Sequence, residues 1–372
     1  FNKKIIAASP TVYDLAAYPK TLSGKTVAAY VNAHTDLSDD LYRDGKLVSD
    51  NYKNILRAQT NASAIPAEVT VRYGVTVRRT NIRNLPTGEG LFFYASDRNF
   101  DALQETALDP GEAVAILHTS TNGYFYYVQA YNYRGWLSKF DVAETDRATW
   151  SRYAAPKNFL TVIARDYTLK ADGAQVLFQQ GSRLQLADKK AASYTVKVPV
   201  RTKEGKLQEE EVILAANSSL HEGYLPYTTN NIIRSAFKFY DAVYGWGGLQ
   251  NSVDCSSFIS NAYRTVGIFL PRNADEQETS AGIHKKMGNM SSAQRANVVK
   301  SLTPGSTLHM DGHVMLYLGS SNEVPYAIHS LGSHYTGGTR HSVMKVVVSD
   351  LELQKSNGNT YRDELTTCVT FR

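Results

Sequence analysis

Tyr244-Gly245-Trp246-Gly247-Gly248, followed closely by Asp254-Cys255-Ser256-Ser257-Phe258, is the stretch that decides how this chain is read. Phe258, Ile259, Ala262, Tyr263 and Val266 recur on one helical face, so a helix is expected to open at Cys255 and to end near Gly267. A thiol in a first helical turn meets unpaired backbone N–H groups and the positive end of the macrodipole, which favour the thiolate. The glycines before it let other backbone approach the sulfur. Taken alone, Cys255 reads as a small buried core residue, as most free cysteines are.

Two histidines downstream supply what a nucleophile needs. Gly312-His313-Val314-Met315-Leu316-Tyr317-Leu318-Gly319 alternates like a strand, and Pro325-Tyr326-Ala327-Ile328-His329 reads as its hairpin partner. With residues 319–323 as the loop, His313 falls opposite His329 on one sheet face. A cysteine on a helix, a histidine on a strand and a polar group orienting that histidine form a nucleophile–base–orienter set. Each histidine by itself would pass as an ordinary core or surface residue. His309 and His313 also have a metal-like spacing, but Gly312 and the strand pattern break the helix on which that spacing converges, so no metal and no cofactor are expected.

These motifs resemble the NlpC-type bacterial cell-wall cysteine peptidases. The resemblance covers roughly residues 225 to 345 and rests on Tyr-x-Trp-Gly-Gly, Asp-Cys-Ser-Ser-Phe, Leu-Pro-Arg followed by Gln277, Gly-His-Val-Met-Leu-Tyr-Leu-Gly and Ile-His-Ser, in that order. It implies that Cys255 is the nucleophile, His313 the general base and His329 the orienting third member. It further implies that Tyr244 helps bind the substrate carbonyl. Asp254 and Ser256 match the pair flanking the cysteine in members that cut between γ-D-glutamate and a diamino acid. The Arg-Asp-Ser pattern of that subgroup reads Arg272-Asn273-Ala274 here, so a carboxylate and a hydroxyl near the substrate's amino end are missing. Pro-Gly-Asp reads Pro304-Gly305-Ser306, a change confined to a turn. Arg272 is a candidate for gripping the free α-carboxylate of D-glutamate, with a structural salt bridge as the alternative.

The chain has 372 residues, 42% hydrophobic and 20% charged, an ordinary globular composition with room for two to four compact parts. The net charge of +5 comes from scattered basic residues, which form no stripe, so nucleic acid is not expected as a partner. No apolar run approaches the ~18 residues of a membrane span. Because the sequence opens at Phe1, loss of an initiator is expected. Export to the cell envelope, periplasmic or extracellular, is the expected localisation, with cytoplasmic recycling of wall peptides as the alternative. Cys368 lies in a terminal strand pattern and is expected to be buried.

Upstream of the cysteine the pattern is mostly β. Residues 1–58 are a mixed segment with an amphipathic stretch from Ser49-Asp50 to Ala58 and a turn at Arg43-Asp44-Gly45-Lys46. Short strands at Glu68–Tyr73, Glu112–His118 and Tyr124–Gln129, ending in Gly135-Trp136, resemble a bacterial SH3-like barrel over residues 59–148. Residues 149–215 hold a second such set, with a hairpin from Tyr194–Val200 to Glu211–Leu214, and Ala216 to Tyr227 reads as a linker into a catalytic domain at 216–372. The aromatic cluster at Tyr124–Tyr133 reads as barrel core or as a ligand platform.

The expected fold is therefore an α+β papain-like catalytic domain preceded by two mainly β SH3-like barrels and a short N-terminal segment. The expected function is hydrolysis of the γ-D-glutamyl–diamino acid bond in peptidoglycan stem peptides by a monomer. The alternatives are a non-catalytic wall-binding protein and an acyltransferase on the same scaffold.

Overall fold

Ala113-Val114-Ala115-Ile116-Leu117 is a continuous apolar run, and such a run suits a strand covered on both faces. In the computed structural model, which describes all residues from Phe1 to Arg372, it is the heart of the strand Ala113–Thr119. Val114 and Ile116 face a core with Ile82, Leu108, Val128 and Leu137, while Ala113, Ala115 and Leu117 face Val75, Tyr127, Trp136 and Trp150. The sheet has seven antiparallel strands in the order Val142–Thr145, Arg72–Thr76, Ala113–Thr119, Phe125–Gln129, Arg134–Ser138, Thr80–Arg83 and Gln104–Leu108. Gly135 permits the tight curl, since a Cβ there would lie 2.6 Å from Ile82 Cγ2 and 2.8 Å from the Arg83 carbonyl oxygen. The helix Arg147–Ala154 lies across one face, where Trp150 Nε1 donates to the Val114 carbonyl at 3.0 Å.

The segment expected as one strand at Glu68–Tyr73 is split. Glu68–Thr70 pairs with Thr21–Ser23, and the seven-stranded sheet begins only at Arg72. Between them Val71 is buried and its N–H donates to the Lys20 carbonyl at 2.9 Å, so the chain changes partners without leaving the core. The amphipathic stretch forms the helix Asp50–Gln59, capped by the Ser49 hydroxyl. Tyr126 and Tyr127 are buried and Tyr124 is exposed, so the aromatic cluster is mainly core.

A second β region has a five-stranded sheet in the order Leu207–Ala215, Ser193–Arg201, Arg183–Lys189, Phe159–Val162 and Leu220–Glu222. Its long hairpin pairs Ser193 with Ala215 through to Arg201 with Leu207. The stretch read as a linker contributes Leu220–Glu222 to this sheet.

The chain divides into two compact units. Residues 13–160 and 166–223 form one, and residues 1–12, 161–165 and 224–372 form the other. In the latter a six-stranded antiparallel sheet runs in the order Ile283–Lys286, Thr367–Thr370, Thr307–Met310, His313–Ser321, Val324–Thr336 and Thr339–Asp350. The helix Cys255–Arg264 packs on the strands beginning at His313 and Val324, with the helix Thr229–Phe237 beside it. Phe258, Ile259, Ala262 and Tyr263 are fully buried, and each large side chain of this kind contributes roughly 1.5–3 kcal/mol. Gly267 adopts φ +78° just beyond the helix end. A cysteine-bearing helix set against an antiparallel sheet that carries the histidines is the papain-like arrangement. The N-terminal residues join this unit through Asn2, whose side chain donates to the Gly267 carbonyl at 2.8 Å and accepts from the Phe269 N–H at 3.0 Å.

Candidate active site

Asp254 builds the start of the cysteine helix. Its carboxylate accepts from the Ser257 N–H at 2.9 Å, and the Ser257 hydroxyl accepts from the Asp254 N–H at 2.9 Å, a reciprocal capping box. The other carboxylate oxygen accepts from the Gly247 N–H at 3.0 Å, which ties the glycine-rich loop to the helix end. Gly245 is required in that loop, because a Cβ would sit 2.2 Å from the Leu249 carbonyl oxygen.

Arg272 closes over the same carboxylate, with Nη2 at 2.5 Å from Asp254 Oδ2 and Nη1 at 2.8 Å from Ser256 Oγ. Both charged side chains are only 6% exposed. Burial by itself would raise the Asp254 carboxyl, but the guanidinium and the Ser257 donors hold it below the usual carboxylate range. The guanidinium thus takes up the residues beside the cysteine, which is the salt-bridge alternative for Arg272. Gln277, buried, donates its amide to Ser256 O at 3.0 Å, Ser260 Oγ at 3.0 Å and Pro271 O at 2.9 Å, locking the following helix to this one.

Cys255 is half-buried at the first helical position, and Cys368 is a buried, free cysteine in the strand Thr367–Thr370. The Cys255 thiol receives backbone N–H groups of Val314 and Ser256. Burial and then the Asp254 charge push it up to about 12, outweighing those donors and Arg272. This reverses the expectation of a depressed thiol: the helix end is present, but it lies in a dry setting next to a carboxylate. Tyr244 is buried at the same place. Desolvation, with Cys255 and Asp254 nearby, pushes its phenol well above the ordinary range, so it remains a hydrogen-bond donor.

His313 Nε2 lies 2.7 Å from His329 Nδ1. The hairpin that brings them together differs from the expected register. Leu316 pairs with Ile328, a bulge follows between Tyr317 and Gly319, and the turn is a tight one at Asn322 and Glu323, both left-handed with φ 48° and 65°. The shift is an even number of residues, so both histidines stay on one face and meet diagonally. Tyr361 packs edge-on against both rings, 6.1 Å from each. Burial lowers His313 to about 4, with Lys355 and His309 adding to the effect, and lowers His329 well below the ordinary histidine range. Both imidazoles are therefore neutral at pH 7. His329 Nε2 faces Ser349 Oγ at 3.0 Å, a partner that nothing in the alternating strand sequence marked out. His309, on the next strand, bonds Thr307 Oγ1 at 2.8 Å.

The structure thus brings Cys255, Tyr244, Asp254, Ser256 and Arg272 together at one helix end, and His313 and His329 onto the strands it packs against. Residues 241–347 match the NlpC/P60 family, and residues 91–138 match an SH3 domain of the SH3b1 type. The chain carries an NlpC/P60 domain of papain-like fold preceded in sequence by an SH3-type domain, and the class is that of the cell-wall cysteine endopeptidases.

Over 99% of its length the chain is similar in fold to a solved structure described as a novel NlpC/P60 endopeptidase from Photobacterium damselae subsp. piscicida. The TM-score is 0.78 and the identity 19%, with 92% of that chain covered. An NlpC/P60 family protein from Bacillus cereus ATCC 10987 is similar over 72% of this chain and 82% of its own, with a TM-score of 0.53 and 17% identity. No curated protein sequence matches the chain.

Proposed function

We propose that this protein hydrolyses the γ-D-glutamyl–diamino acid bond of peptidoglycan stem peptides, with Cys255 as nucleophile, His313 as general base and His329 as its orienting partner. The observation that carries the reading is the 2.7 Å contact between His313 Nε2 and His329 Nδ1, on strands against which the Cys255 helix packs. With Nε2 occupied, His313 has Nδ1 left for the thiol.

The neutral thiol and neutral imidazole define the resting state. As Sγ attacks the γ-carbonyl carbon, its proton moves to His313 Nδ1 and the carbonyl oxygen becomes an oxyanion. The Tyr244 phenol and backbone N–H groups at the helix start stabilise that charge. The imidazolium then protonates the leaving amine, the C–N bond breaks and a thioester remains. Water, deprotonated by His313, attacks the thioester and expels the sulfur, which recovers the proton. Proton transfer at the moment of attack suits a thiol raised to about 12, because a preformed thiolate is not required.

Asp254, Ser256 and Arg272 act as a frame in this reading. They fix the helix end and the glycine loop, and the Arg272 guanidinium is spent on Asp254 in place of a substrate carboxylate. The substrate is a wall-derived peptide, and the place of action is the cell envelope. Mass spectrometry of products from a panel of defined muropeptides tests the proposal. It expects scission between D-glutamate and the diamino acid, lost on Cys255→Ala. Scission elsewhere in the stem would replace it.

A further inference from the structure

We propose that Ser349 is a positioning residue of this centre, setting the tautomers of His329 and His313 so that His313 Nδ1 is free to take the thiol proton. The inference rests on the reading of Cys255, His313 and His329 as the catalytic set and adds one residue from the edge strand Thr339–Asp350.

Ser349 Oγ lies 2.8 Å from the Asp350 carbonyl oxygen and 3.0 Å from His329 Nε2. A carbonyl oxygen can only accept, so the single hydroxyl proton goes to Asp350 and Oγ turns a lone pair toward His329. His329 Nε2 must then carry its N–H. A neutral imidazole has one N–H, so His329 Nδ1 bears a lone pair, and it lies 2.7 Å from His313 Nε2. That contact requires the proton on His313 Nε2, which leaves His313 Nδ1 as the acceptor. A backbone carbonyl at Asp350 thus dictates, through one hydroxyl and two rings, which nitrogen acts as the base.

The register makes this arrangement available. Ser349 pairs with Ala327, two residues from His329 on the same face, so a short side chain on either side leaves room for the ring edge. With alanine at 349, the N–H of a His329 that is 0% exposed loses its acceptor. The opposite tautomer then competes: His329 Nδ1–H donates to His313 Nε2, the His313 proton moves to Nδ1, and a hydrogen faces the sulfur where a lone pair is needed.

The test compares wild type, Ser349→Ala, Ser349→Thr and Cys255→Ala. The readouts are histidine ¹⁵N NMR, alkylation of Cys255 by iodoacetamide, and hydrolysis of L-Ala-γ-D-Glu-diaminopimelate. The wild-type spectrum should show His329 protonated at Nε2 alone. Ser349→Ala should mix the tautomers and slow both alkylation and kcat roughly tenfold, with KM changed by less than about twofold. Ser349→Thr, which keeps the hydroxyl, should return both rates to within about threefold of wild type. A wild-type His329 protonated at Nδ1, or wild-type alkylation and kcat in a folded Ser349→Ala, overturns the inference. If Ser349→Ala does not fold, the wild-type tautomer decides alone. Hydrolysis that survives Cys255→Ala would instead overturn the underlying catalytic reading, whatever Ser349 does.

Discussion

Arg272 Nη2 stands 2.5 Å from Asp254 Oδ2 in a pair whose side chains are both 6% exposed, directly beside the candidate nucleophile. A buried carboxylate stripped of its partner is an uncompensated charge, so Arg272→Gln should cost about 3–5 kcal/mol in urea unfolding at pH 7. In wild type the depressed Asp254 carboxyl contributes stability above its unfolded value near ~3.9, lost as pH falls through the folded value. Without Arg272, burial dominates and raises that carboxyl, so the deficit should widen as pH rises through the unfolded value and level off once Asp254 is ionised in both proteins. A deficit independent of pH would mean that Asp254 is not the group affected.

Cys255 and Cys368 should separate cleanly in function. Cys255→Ser should abolish hydrolysis, while Cys368→Ser should leave kcat within about twofold of wild type. With the Cys255 thiol at about 12, its alkylation by iodoacetamide should keep climbing between pH 7 and 9. A rate plateau already reached below pH 7 would reveal a preformed thiolate and contradict the electrostatics of the site.

His313→Ala should cost more in kcat than His329→Ala, because solvent can partly replace an orienting group but not the base. Since burial lowers His313 to about 4, the acid limb of kcat/KM should fall near that value and well below the ordinary 6.5. Equal losses in the two variants, or an acid limb near 6.5, would reassign the base.

Three histidines, His309, His313 and His329, are held neutral by burial, with His309 lowered to about 3. The unfolded chain takes up their protons below about 6.5 and the native state does not. Each therefore removes stability at about 1.4 kcal/mol per pH unit as pH falls from there. Urea unfolding between pH 7.5 and 5 should show this slope, and His309→Gln should make it shallower. A flat profile would mean that the native histidines protonate in place.

The local patterns carried much of this. The helix at Cys255, the strand at His313 and the burial of Cys368 follow from periodicity, and an even register shift cannot move His329 to the other face. What the chain alone did not disclose depends on contacts distant in sequence. Ser349 looks like any polar residue ending a strand, and only the edge pairing brings it to His329. The sequence leaves Arg272 open between two roles, and its ion pair with Asp254 forms only once positions 18 apart are folded together. The direction of the Cys255 shift turns on desolvation, a property of the assembled unit, which local helix geometry does not report. The packing of Asn2 against Gly267 and Phe269 spans most of the chain and has no local signature.

The bond that is cut and the sulfur that cuts it can be read in one experiment. Incubating the protein with L-Ala-γ-D-Glu-diaminopimelate and following products by mass spectrometry tests both at once. Wild type should give L-Ala-γ-D-Glu and free diaminopimelate, and Cys255→Ala should leave the tripeptide intact. Intact tripeptide with wild-type protein, release of L-alanine instead, or the same products from Cys255→Ala would rule out this bond or this nucleophile.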